Sequence, residues 1–167
     1  MKTSFLRKKI NKIKLSKSNS NLSFFASKES FLDKNFSSIK DVFLEIYNVG
    51  KKEYGLKSEE FYLSLKKKES NELISLDNGI LLIHSLFKEL KKNCLMFFRL
   101  QKPIAFNGKN TTDIVFALIT PNDIEISNKL QILAKLTRIL KSPDIRNEIR
   151  GAKKAEDVLA ILLLPSI

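Results

Sequence analysis

The chain has 167 residues, 43% of them hydrophobic, and a formal net charge of +12, which fits one domain with a core and argues against a disordered or fibrous chain. A single cysteine, Cys94, excludes an internal disulfide, and a single histidine without paired carboxylates leaves nothing to hold zinc. The apolar runs fall well short of the ~18–20 residues that span a bilayer, so the expected setting is cytoplasmic.

The charge is uneven along the chain. Residues 1–28 hold eight basic residues and no acidic one, which leaves residues 29–167 with 22 basic and 18 acidic side chains. We expect two parts: a basic, flexible N-terminal tail at 1–28 and a folded domain at 29–167. Leu6, Ile10 and Ile13 fall on one helical face among lysines. The tail is therefore either a solvated segment or a short basic helix for contact with nucleic acid or a membrane surface.

Order is expected from "SFLDKN", as a short strand. Ile39, Val42, Phe43 and Ile46 then recur at the spacing of an amphipathic helix, with Ser38 as expected N-cap and Gly50 as expected stop. A second helix follows over "LKSEEFYLSLKKKES", with Ser58 as N-cap and Phe61 and Leu65 inward. The apolar runs "GILLI" (79–83), "CLMFFRL" (94–100) and "DIVFALI" (113–119) predict covered strands, and "QKPIAFNGKN" predicts a loop. The segment "ISNKLQILAKLTRILKSP" predicts a helix with Leu130, Leu133, Leu136 and Leu140 on one face. "SPDIRNEIRGA" predicts another, with Ser142 as N-cap, Pro143 at its first position and Gly151 at its end. "AEDVLAILLL" predicts a last helix, halted by Pro165. Helices, strands and helices in this order predict the α/β class.

His84 follows four apolar residues, Ile80 to Ile83. By position alone, a lone histidine at a strand end is more often structural than functional. Cys94 opens an apolar strand, where cysteine is usually a buried filler rather than a nucleophile.

Longer stretches decide the matter. "GILLIH", "LQKPIAFNGKNTTDIVFALITPND" and "LQILAKLTRILKSPDIRNEIRGAKKAEDVLAIL" resemble, in this order, the enzyme IIA family of the bacterial phosphoenolpyruvate phosphotransferase system. The resemblance is to its fructose/mannitol class, nearest the nitrogen-regulatory branch, and runs from about Ser30 to Leu163. It implies a single domain with a mixed central β-sheet and helices on both faces.

It also implies that His84 accepts a phosphoryl group from a histidine-phosphorylated carrier protein, with no cofactor or metal. Lys68, followed by Glu69, falls where the family has an arginine, and Lys129 falls where it has a second histidine; both would stabilise phosphoryl charge. Lys129 is unable to shuttle a proton at neutral pH as a histidine does, and Lys68 lacks the arginine's fork. "NELISLD" replaces a Gly/Ser/Thr-rich stretch, with Ser75 as a hydroxyl if the register shifts, and Ile83 replaces a proline.

We expect no sugar-transport domain beside these motifs. The expected function is that of a stand-alone regulatory phosphoryl acceptor, whose phosphorylation state alters its binding to an unidentified protein partner. Two alternatives stand beside it: an enzyme IIA-like binding module that has lost phosphorylation, and a basic-tail protein of nucleic acid or membrane surfaces.

Overall fold

The computed structural model describes residues 32–67, 73–76, 78–91, 93–123 and 126–162. Five helices and four strands follow in chain order: α1 (Ile39–Tyr54), α2 (Glu59–Lys67), β1 (Leu73–Leu76), β2 (Ile80–Leu86), β3 (Cys94–Phe106), β4 (Asn110–Thr120), α3 (Ile126–Leu140), α4 (Pro143–Gly151) and α5 (Ala155–Leu162). The sheet order is β1-β2-β4-β3. β2 and β4 are parallel, and β1 and β3 run antiparallel to their neighbours. The sheet is mixed and the class is α/β, as the sequence and the resemblance imply.

Alternation along the central strands sends side chains to two cores. Leu81, Ile83, Val115, Ala117, Ile119, Met96 and Phe98 face α1 and α2, meeting Val42, Phe43, Ile46, Phe61 and Leu65. Leu82, Phe97, Phe116 and Leu118 face the C-terminal helices, meeting Leu136, Leu140, Ile149, Val158 and Leu162. Because β2 and β4 are buried on both faces, they read as continuous apolar runs rather than alternating ones. Each such buried side chain contributes on the order of 1.5–3 kcal/mol.

The helix starts are where the sequence places them. At α1, the Asp41 carboxylate accepts from the backbone N–H groups of Ser37 and Ser38. At α2, the Ser58 hydroxyl accepts from the Glu60 N–H. At α4, the Ser142 hydroxyl accepts from the Ile145 N–H, with Pro143 in the first turn.

Five details differ from expectation. α1 does not stop at Gly50 but continues to Tyr54 and ends at Gly55, whose φ of 66° is the left-handed turn that glycine adopts at least cost. Gly50 instead makes room: a Cβ there would meet Leu56 Cδ1 at 3.0 Å and Phe61 Cε1 at 3.1 Å. Residues 101–106 are strand, not loop. β3 runs through Pro103 because it is an edge strand, where a missing N–H costs little, and its register shifts between Arg99 and Ile104. Part of "NELISLD" forms the edge strand β1, which no periodicity announces. Leu130 is 56% exposed rather than inward with Leu136 and Leu140. At the start of the chain, Lys34 makes a single parallel bridge to Leu100 instead of a strand. Pro165 and residues 1–28 lie outside the described residues.

Candidate phosphoryl-acceptor site

Parallel β2 and β4 finish at the same end of the sheet, and His84 lies at this end. His84 pairs with Leu118 and projects to the face of Leu82 and Leu118, the side of α3, α4 and α5. Ile80 to Ile83 are 0–1% exposed, whereas the His84 side chain is half-buried. Its Nε2 lies 3.1 Å from the Thr120 hydroxyl. This hydrogen bond helps to orient the ring at the rim of the core, where a strand terminus presents side chains to a cleft.

Two chain segments converge on this end. β1 begins at Leu73, which pairs with Ile83, so the strand starts one residue short of His84 in the register. α3 opens shortly after β4 closes, and Lys129 stands in its first turn, where the helix dipole favours anions. Lys68 and the Lys129 side chain lie outside the described residues. Their expected convergence on the ring therefore rests on these flanking elements alone.

Ser75 does not reach the site. It pairs with Leu81, three residues before His84, about 10 Å down the strand at the ordinary rise. Cys94 is fully buried, and burial pushes its thiol up to about 12 while the neighbouring Tyr54 hydroxyl works against that shift. It holds no thiolate near neutral pH, which removes it as a nucleophile. Among the described residues no group of three or more His, Cys, Asp or Glu side chains could hold a metal ion. No described helix is long and apolar enough to cross a membrane.

One polar residue, Thr120, escaped the sequence reading, and a second, Ser85, lies directly beside the histidine. Thr120 is fully buried and touches the histidine. Ser85 is 1% exposed, projects to the opposite face, and its hydroxyl has no hydrogen-bond partner among the described residues. The available signal was a hydroxyl residue inside an apolar run: Ser85 directly after His84, and Thr120 directly before Pro121.

With the strand order, the presented histidine and the convergent segments in view, the class follows. Residues 23–164 match the family described as phosphoenolpyruvate-dependent sugar phosphotransferase system, EIIA 2, and the chain belongs to it. Among individual relatives, the nitrogen regulatory protein of Bradyrhizobium diazoefficiens is 30% identical over 89 residues, 52% of this chain and 58% of that protein. The chain thus matches little more than half the length of that relative.

Among solved structures, the nitrogen regulatory protein IIA-Ntr of Neisseria meningitidis superposes with a TM-score of 0.74 at 22% identity, covering 83% of this chain and 96% of the other. Enzyme IIA mannitol of Escherichia coli superposes with a TM-score of 0.61 at 13% identity, covering 79% and 95%. These two likenesses show a shared fold.

Proposed function

We propose that the chain is a phosphotransferase-system regulatory protein of the enzyme IIA type that accepts a phosphoryl group on His84. The observation that carries this reading is a half-buried imidazole at the open end of a strand whose preceding residues are fully buried. A neutral imidazole nitrogen is a competent nucleophile for in-line phosphoryl transfer near pH 7. Transfer then needs positioning and positive charge more than covalent assistance. The N-terminus of α3 and the side chains of Lys68 and Lys129 are assigned the charge-stabilising role.

The donor is a histidine-phosphorylated carrier protein, and the protein acts in the cytoplasm on a partner that senses the phosphorylation state. Residues 1–28 are assigned to a tail and 29–167 to the acceptor domain. The test is the intact mass of the protein after incubation with phosphoenolpyruvate and active upstream carriers. One acid-labile, base-stable phosphoryl group is expected on the wild type and none on His84→Ala. Lys68→Ala and Lys129→Ala are expected to slow transfer without abolishing it.

A second reading is favoured by β1. "LISL" is strand, with Leu73 and Leu76 packed against the two cores, where the family resemblance would put a flexible phosphate-holding stretch. This supports a binding module that has lost phosphorylation. No mass gain with active carriers would select it.

A further inference from the structure

Thr120 ends β4, and its surroundings leave it little freedom. Its backbone carbonyl accepts from the Phe87 N–H at 2.8 Å, and the next residue, Pro121, is buried. In the register, His84 pairs with Leu118 and Leu86 with Thr120, so Thr120 and His84 are diagonal neighbours on one face. The side chain is fully buried, and its hydroxyl has one hydrogen-bond partner among the described residues, Nε2 of His84.

That single partner fixes the direction of the bond. A hydroxyl carries one proton and two lone pairs. Burying the proton without an acceptor costs more than leaving a lone pair idle, because unused acceptor capacity is common in folded interiors and orphaned donors are rare. The Thr120 proton therefore goes to Nε2. A neutral imidazole has one protonated and one unprotonated nitrogen, so Nδ1 carries the ring proton.

We propose that Thr120 is a positioning residue that holds His84 in a resting arrangement, its hydroxyl donating to Nε2 and turning the nucleophilic lone pair toward the interior. The consequence for transfer rests on the phosphoryl-acceptor reading above. Before transfer, the bond to Thr120 opens and the ring turns Nε2 to the incoming phosphorus. The Nε2 lone pair forms the new N–P bond. The P–N bond of the donor phosphohistidine breaks, its electron pair returning to the donor nitrogen. The proton released from Nδ1 balances, through water, the proton taken up by the donor imidazole.

Thr120→Val keeps the branched shape and removes the hydroxyl; Thr120→Ser keeps the hydroxyl. In the ¹⁵N-labelled full chain, at a pH where the ring is neutral, long-range ¹H–¹⁵N spectra of the wild type are expected to show protonated Nδ1 and unprotonated, hydrogen-bonded Nε2 at His84. Thr120→Val is expected to move both nitrogen shifts, and Thr120→Ser to restore them. Unchanged shifts in Thr120→Val, or a protonated Nε2 in the wild type, would overturn the proposal.

With phosphorylated carrier, Thr120→Val is expected to accept phosphate about three- to tenfold faster, the factor that loss of one ordinary hydrogen bond represents. An unchanged or slower rate would overturn the resting role. If neither protein takes up phosphate, the acceptor reading falls, and the nitrogen shifts alone decide the bond.

Discussion

At the end of the sheet where β2 and β4 begin, polar side chains are tied down on several sides. Arg150 holds Asp113 with two hydrogen bonds of 2.8 Å and also donates to the Asn78 carbonyl, and hydrogen bonding to Asp113 raises its pKa further. Buried Thr112 bonds to the carbonyls of Gly79 and Ile114. Arg99 caps the end of α4 by donating to the carbonyls of Ile149, Arg150 and Ala152, and it also grips Asp33. At the opposite end, where β2 and β4 finish, His84 is held by Thr120 and the buried Ser85 hydroxyl goes unpartnered. One end has its polar groups locked by redundant bonds. Among the described residues, the other shows the histidine–threonine bond and a buried serine hydroxyl without a partner.

Substitutions at the locked end should therefore cost stability, and those at the open end should cost little. The largest effect is expected from Arg99→Ala, which strands three carbonyls and an aspartate: a loss of about 3 kcal/mol, read as a lower urea midpoint at constant slope. Gly79→Ala follows. Gly79 has a φ of 83°, and a Cβ would stand 2.6 Å from Asp113 Oδ1, so about 2 kcal/mol is expected to be lost. A cost under about 0.5 kcal/mol for either, within the range of ordinary surface changes, would show that the locked end is not the stabilising one.

Cys94 tests the open end by pH. Its folded pKa is raised from 9 to about 12, so the native state holds the neutral thiol. The stability it contributes is whole below about pH 9 and drains away as pH rises toward 12, with about 1 kcal/mol gone by pH 10. Between pH 8 and 10 the stability of Cys94→Ala should fall less steeply than that of the wild type by about that amount; parallel curves would rule the thiol out as the cause. The smallest effect is expected at Ser85. Removing an unpartnered buried hydroxyl with Ser85→Ala should leave stability unchanged or raise it by up to about 1 kcal/mol. A clear loss in thermal unfolding would mean that the hydroxyl has a partner and that the open end is more constrained than it looks.

What was legible in the sequence and what was not divides along physical lines. Burial periodicity gave α1 and α2 through Ile39, Val42, Phe43, Phe61 and Leu65, and the two-sided burial of β2 and β4 gave their apolar runs. The caps at Ser38, Ser58 and Ser142 were readable because capping is local chemistry. The errors came from tertiary context. Gly50 looks like a helix stop until Leu56 and Phe61 fold back against it, and Pro103 looks like a strand breaker until β3 proves to be an edge. Leu130 looks like core until α3 is seen to turn that position outward. At the site, the position of His84 was readable through the resemblance. Its bond to Thr120 was not, because the two residues stand 36 positions apart and meet only through parallel pairing.

The strand order has a consequence for how the chain acquires its structure. β4 is the last of the described strands to be synthesised, yet it lies between β2 and β3. While it is missing, the inner edges of both strands stand open, with apolar side chains on either face. β3 and β4 join locally across the turn at Asn107 to Lys109, where Asn107 and Gly108 adopt positive φ, so this hairpin is the natural first unit. It must then dock in parallel against β2, matching Ile80 with Ile114 across 34 residues of chain, a non-local pairing of the kind that slows folding. The edge carrying His84 is zipped shut by that docking, so the surroundings of the histidine come into being only when β4 has left the ribosome.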